Sequence, residues 1–70
     1  MGLKRGERPT VMFSNVTALK ETGAALLCKI DGDDYWMPKS QIDSESDVNA
    51  EGDEGTLVVT QWIAMEKGLV

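Results

Sequence analysis

The chain has 70 residues, of which 41% are hydrophobic and 27% are charged, and its formal net charge at pH 7 is −5. This length allows one domain with a small core, and the composition is typical of a folded chain. No apolar stretch approaches the roughly 20 residues of a membrane-spanning helix, and a single cysteine excludes an internal disulfide, so we expect a cytoplasmic protein with no membrane segment.

Residues 1–9 are predicted to form a flexible basic arm, and residues 10–70 a single small β domain. The arm carries Lys4, Arg5 and Arg8 against Glu7, and no apolar segment of a signal peptide follows it. The first strand is predicted over residues 10–17, with Val11 and Phe13 on one face. Met12 and Val16 are assigned to the other face, and the imperfect alternation predicts a bulge near Ser14-Asn15.

A hairpin is predicted next. Residues 24–30 alternate Leu26, Cys28 and Ile30 on one face, and Asp31-Gly32 favours a mirror-image turn into a strand over residues 35–37. Cys28 is interpreted as a small core hydrophobe. Pro38 ends the returning strand, and residues 39–42 are predicted to turn so that Ile42 re-enters the core.

The last third of the domain is predicted to be an acidic loop, a strand and a short helix. The loop covers residues 43–54, the strand residues 55–60 and the helix residues 61–67. Thr60 is the predicted N-cap and Gly68 the stop, with Trp62, Ile63 and Met65 on the buried side. The chain is thus expected to be mostly β (α+β): a small antiparallel sheet or partly open SH3-like or OB-like barrel of about four strands with a short C-terminal helix.

The residue types exclude several chemistries. The chain has no histidine, one cysteine and no glycine-rich phosphate-binding motif, so we expect no enzyme, no cofactor and no metal site. A calcium site is one interpretation of the acidic loop, because its carboxylates fill the first, third, fifth, ninth and twelfth places of an EF-hand register. The sixth place requires glycine and holds Val48, which favours a solvated loop.

Charge is unevenly distributed and defines the first candidate surface. Nine acids fall within residues 31–54 against Lys39 alone, and they predict a protein partner with a basic surface. These candidate partner-binding residues are Asp31, Asp33, Asp34, Asp43, Glu45, Asp47, Glu51, Asp53 and Glu54.

A second candidate surface would bind single-stranded nucleic acid. Aromatic rings on a small barrel can stack on bases while basic groups contact phosphates. The residues assigned to it are Tyr35, Trp36, Lys39, Lys4, Arg5 and Arg8. Because Tyr35 and Trp36 are consecutive on a strand, they are expected on opposite faces. Lys39 has a second interpretation, as a surface lysine near an edge strand that discourages edge-to-edge pairing.

Two segments resemble a known group of proteins. Residues 30–42 (IDGDDYWMPKSQI) and 52–59 (GDEGTLVV), together with Trp62 and residues 66–69, resemble small uncharacterised accessory proteins of bacteriophages and other mobile elements. The resemblance implies a context in which such proteins act by binding, and it implies no catalytic or binding residue.

Three functional hypotheses follow. The first is a non-enzymatic protein-binding module, such as a phage-type inhibitor of a host defence (anti-CRISPR-like) or replication protein, acting through the acidic surface. The alternative is a single-stranded nucleic-acid-binding small β-barrel. The third is an assembly role in which an exposed strand edge pairs with another copy, and the oligomeric state stays open.

Overall fold

A computed structural model describes residues 8–70, so most of the predicted basic arm, including Lys4 and Arg5, lies outside the described residues. Residues 8–70 form one four-stranded antiparallel open sheet in the order β3-β2-β1-β4, followed by one short helix. This confirms the predicted fold class. The elements are β1 (Thr10–Glu21), β2 (Ala25–Ile30), β3 (Asp33–Pro38), a 3₁₀ helix (Lys39–Gln41), β4 (Glu54–Thr60) and α1 (Gln61–Glu66).

Strand β1 is long and bent, and it connects the two halves of the sheet. Its first part pairs with β4 and its last part with β2. The predicted bulge is present, because the register with β4 shifts between Phe13 and Val16 and Asn15 has φ 58°. The extra residue reverses the alternation after Phe13. Val16 therefore lies on the buried face with Val11 and Phe13, and its predicted sharing of a face with Met12 is wrong.

The β2–β3 hairpin turns as the sequence predicts. Asp31 and Gly32 form its connection and both have positive φ, 51° and 87°. That combination belongs to the type I′ turn, whose twist matches the twist of the flanking strands. The hairpin places Leu26, Cys28 and Ile30 on the buried face, as expected, and pairs Leu27 with Trp36 on the other face.

The core lies between the inner face of the sheet and a cover made of the loop and the helix. Strands β1 to β4 contribute aliphatic side chains, the Cys28 thiol and Met37 from the inner face. Val48 from the loop and Ile63 and Ala64 from the helix close the other side. Ile42 returns to this core through a bridge to Val59, as predicted.

Helix α1 begins after the predicted N-cap and ends at Glu66, one residue before the predicted end, and its buried side differs from the prediction. The Thr60 side chain accepts a hydrogen bond from the N–H of Ile63, and Gly68, with φ 74°, is the stop that follows the helix. Only Ile63 and Ala64 are buried, whereas Trp62 and Met65 are 59% and 61% exposed, so their predicted burial is wrong. At 3.6 residues per turn, Trp62 and Met65 share the face opposite Ile63 and Ala64, and one short helix can bury only one face.

Candidate functional site

The acidic loop, residues 43–53, covers the outer edge of β4. The N–H of Asp43 donates to the carbonyl of Val58, and the N–H of Asp47 donates to the carbonyl of Thr56. The N–H of Thr56 in turn donates to the Asp47 carboxylate at 3.3 Å. An uncovered strand edge exposes unpaired backbone groups that invite aggregation. The loop therefore protects this edge while it holds a row of acids along it.

Ser46 is the buried polar centre of this loop, and the sequence analysis does not predict this role. Its hydroxyl donates to the carbonyl of Val48 at 3.0 Å and accepts from the N–H groups of Val48 and Val58 at 3.2 and 3.1 Å. A serine hydroxyl has one donor and two acceptor positions, so all three are used. The hydroxyl thereby fixes the loop to β4 and directs Val48 into the core.

Three of the nine predicted acids help to build the loop. Asp43 accepts from the N–H of Glu45 at 2.9 Å, and Asp47 accepts from Thr56 as described above. Asp53 accepts from two N–H groups of the turn before it, both at 3.0 Å. Aspartate often closes turns of this kind, because its short side chain reaches the nearby backbone. These carboxylates are charged, and they also have a structural role.

The other six acids have no such role within residues 8–70. Their carboxylates make no hydrogen bond there, and none of the nine acids joins an ion pair in that part of the chain. No group of three or more acids converges there in a way that would hold a metal ion. The six lie at the hairpin turn, at the start of β3, in the acidic loop and at the start of β4; they are Asp31, Asp33, Asp34, Glu45, Glu51 and Glu54.

A groove lies beside the acidic loop on the outer face of β1 and β4. It has a volume of about 520 Å³, with Met12 and Val58 as its apolar floor and Asp43 and Glu45 along one wall. Thr10 and Thr56 complete the lining. Met12 is 70% exposed, whereas the neighbouring Val58 is buried. The groove therefore combines an accessible apolar surface with two carboxylates.

Lys39 is not a free cation, because it pairs with Glu21. The hydrogen bond from Lys39 lowers the pKa of the Glu21 carboxyl, and a second hydrogen bond from the N–H of Glu51 lowers it further. This pair links the end of β1 to the 3₁₀ helix, and the second bond reaches the acidic loop. The sequence predicts Lys39 for the nucleic-acid surface, and the structure shows it in an ion pair with Glu21.

The other described candidates of the nucleic-acid surface are Tyr35, Trp36 and Arg8. Tyr35 packs against the core and Trp36 is 43% exposed on the opposite face, as expected for consecutive strand residues. Arg8 donates to the Ser40 carbonyl and to the Gln41 side chain. Lys4 and Arg5 lie outside the described residues.

The outer face around Trp36 contains two lysines that the sequence reading did not assign. Cross-strand pairing places Lys20 beside Leu27, which pairs with Trp36, and places Lys29 beside Asp34. Residues paired directly across a sheet share a face. Trp36 therefore lies on a surface with two cations and one acid. No periodic pattern in the sequence predicts this grouping, because it depends on the register between β1 and β2 and on the bulge at Leu19.

The helix contributes a second apolar groove of about 270 Å³, lined mainly by Trp62 and Met65 with Arg8 and Pro9 opposite.

Cys28 is fully buried, and burial raises the pKa of its thiol to about 11. A protonated, inaccessible thiol is a poor nucleophile, and this agrees with its interpretation as a core residue. Among residues 8–70, no helix has the length and apolar character needed to cross a membrane.

No family model, curated protein sequence or solved structure matches this chain. The resemblance to phage accessory proteins thus remains a prediction based on the residues quoted above.

Proposed function

We propose that this chain is a non-enzymatic, cytoplasmic protein-binding module that recognises a basic protein surface through its acidic residues. The observation that carries the proposal is the uncompensated charge: nine carboxylates within residues 31–54, none of them in an ion pair within residues 8–70. Such a surface attracts a basic partner over a distance and accelerates association.

The arrangement of the charges also supports recognition. The turn between β2 and β3 presents Asp31, the start of β3 presents Asp33 and Asp34, and the acidic loop presents Glu45 and Glu51. Both regions are held by local structure: the hairpin turn by its type I′ geometry and the loop by the hydrogen bonds of Ser46. Local structure that is already formed lowers the entropy that binding must remove, so it favours affinity.

The specific form of the proposal is a phage-type inhibitor of a host defence protein, in the manner of an anti-CRISPR protein, or of a replication protein. It is motivated by the resemblance of residues 30–42 and 52–59 to phage accessory proteins. Proteins that act on nucleic acid carry basic surfaces, and an acidic protein of this size can cover one.

The test neutralises only the six acids that have no structural hydrogen bond. A variant with Asp31→Asn, Asp33→Asn, Asp34→Asn, Glu45→Gln, Glu51→Gln and Glu54→Gln keeps the shape of each side chain. We expect the immobilised wild-type protein to capture a basic protein from host-cell lysate at low salt, and the purified partner to bind the variant much more weakly. Equal binding of wild type and variant at low salt would show that the acidic surface is not the binding site.

The alternative, a single-stranded nucleic-acid binder, is favoured by one observation: Trp36 shares its face with Lys20 and Lys29. Its test is the anisotropy of a labelled mixed-sequence oligonucleotide at low and physiological salt. The alternative predicts saturable binding that weakens with salt and is lost in Trp36→Ala and in the Lys20→Gln/Lys29→Gln double variant. Trp62→Ala is the matched control, since Trp62 is exposed on the helix. No binding at either salt concentration would rule the alternative out.

A further inference from the structure

The groove on the outer face of β1 and β4 has a chemical character that selects its occupant. Its floor is apolar, and the accessible part of that floor is Met12, which is 70% exposed, whereas Val58 beside it is buried. Exposed methionine is unbranched and polarisable, and it is common on surfaces that adapt to a partner side chain. The wall carries Asp43 and Glu45, so a purely apolar occupant would bring apolar surface against two carboxylates without supplying a cation.

The wall is held in a fixed position relative to the floor. The N–H of Asp43 donates to the carbonyl of Val58 at 2.8 Å, and one Asp43 oxygen accepts from the N–H of Glu45 at 2.9 Å. The second Asp43 oxygen and the exposed Glu45 carboxylate make no hydrogen bond within residues 8–70. Two acceptor groups thus border one apolar floor.

A side chain that fits must be aliphatic along its stem and cationic at its end. Both lysine and arginine satisfy this, since their stems cover apolar surface while their charged ends contact polar groups. Arginine fits better because its guanidinium has five donors in a planar fork that can engage two carboxylates at once. A lysine ammonium is a compact point charge that is more strongly hydrated.

We propose that this groove binds an arginine side chain of the basic partner, with the stem on Met12 and Val58 and the guanidinium at Asp43 and Glu45. The inference rests on the proposed protein-binding function and names the part of the acidic surface that reads the partner's side chain. It also explains why a large apolar side chain stays exposed next to two carboxylates.

The experiment uses the full ¹⁵N-labelled chain and short blocked peptides of alanine with one central arginine, lysine or citrulline. Backbone amide shifts of Met12, Glu45 and Val58 report on the groove. We expect saturable shifts with the arginine peptide, at a dissociation constant on the order of 1 mM, weaker shifts with lysine and none with uncharged citrulline. Both Glu45→Gln and Met12→Ser should weaken arginine binding, by about two- to fivefold, and Glu66→Gln on the helix is the matched control.

Three results would overturn the proposal. Equal shifts with the citrulline and arginine peptides would show that charge is not read. Shifts centred on Asp31 and Asp34 would place the arginine at the hairpin turn instead. Shifts of Met12 and Val58 on neutralising Lys4 and Arg5 without peptide would assign the groove to the chain's own arm.

The two levels of proposal fail separately. If the groove binds no arginine but the sixfold neutralised variant still loses the captured partner, the acidic surface remains the binding site and only the groove assignment is wrong. If the groove binds arginine but neutralisation leaves partner binding unchanged, the proposed function is wrong, and so is this assignment of its occupant to the partner.

Discussion

Removing the Ser46 hydroxyl is the most informative test of how the acidic loop is held. Ser46→Ala leaves the buried N–H groups of Val48 and Val58 without an acceptor and the Val48 carbonyl without a donor. An unsatisfied buried backbone group costs roughly 1–3 kcal/mol, and partial access of water reduces this, so we expect a loss of about 2–4 kcal/mol. A domain of this size has a free energy of unfolding of roughly 4–10 kcal/mol, so a large share is lost.

Urea denaturation followed by far-ultraviolet circular dichroism measures this loss directly. The midpoint should fall while the slope stays unchanged, because the surface exposed on unfolding is the same. Ser44→Ala is the matched control: Ser44 lies two residues away in the same loop, is exposed, and should stay within about 0.5 kcal/mol of wild type. If Ser46→Ala is as stable as Ser44→Ala, the Ser46 hydroxyl does not fix the acidic loop to β4.

Three further predictions test the core, the ion pair and the start of β4. Burial raises the pKa of the Cys28 thiol to about 11. The protonated thiol therefore makes its full contribution to the free energy of unfolding below the ordinary thiol pKa, and this contribution is lost as the pH rises from about 9 to 11. The difference in free energy of unfolding between wild type and Cys28→Ala, measured by urea denaturation, should decrease by about 2–3 kcal/mol over that range. A difference that stays constant with pH would contradict this prediction. Because Lys39 lowers the pKa of the Glu21 carboxyl, wild type should have a larger free energy of unfolding than Glu21→Gln at neutral pH, and this difference should disappear as the pH falls below the ordinary carboxyl range. A difference that persists in acid would refute this prediction. Gly55→Ala should lower the free energy of unfolding by about 1–3 kcal/mol, because Gly55 has φ 140° and an added Cβ would lie 3.1 Å from the Cβ of Asp47. Gly23→Ala is the control: its added Cβ meets nothing within 4 Å, so the same denaturation assay should show almost no change.

Local features of this fold were predictable because local chemistry determines them. The Asp31-Gly32 turn requires positive φ at both residues, and the Thr60 cap needs a hydroxyl one position before the helix. The bulge at Asn15 was also predictable, from the broken alternation. Its consequence was not: which face Val16 occupies depends on how many residues the bulge adds opposite β4, and that is a property of pairing across the sheet.

The same division applies to the candidate site. Charged side chains are expected at the surface, and seven of the nine acids are exposed, whereas Asp43 and Asp53 are partly buried. The role of Ser46 was invisible, because one of its partners, Val58, is twelve residues away in sequence and no periodic pattern marks the contact. Trp62 and Met65 were assigned to the core by hydrophobicity alone, although helical geometry places them opposite Ile63 and Ala64.

The two edges of the sheet show why charge and recognition must be separated experimentally. The acidic loop covers the edge of β4, whereas β3 protects its own edge with Asp33, Asp34 and Pro38, which discourage pairing with another strand. This also weighs against assembly through β3, and a monomer in sedimentation at high concentration would exclude it. Part of the acidic charge therefore has a structural or protective role that needs no partner.

Neutralising the whole acidic set would confuse these roles. Asp43, Asp47 and Asp53 accept backbone hydrogen bonds, so changing them weakens the loop and lowers binding even if they never contact a partner. The six remaining acids lack those bonds in the part of the chain that the structure describes, and their amide variants should fold normally. Loss of partner binding in the sixfold variant, at an unchanged urea midpoint, would therefore assign recognition to these charges independently of folding.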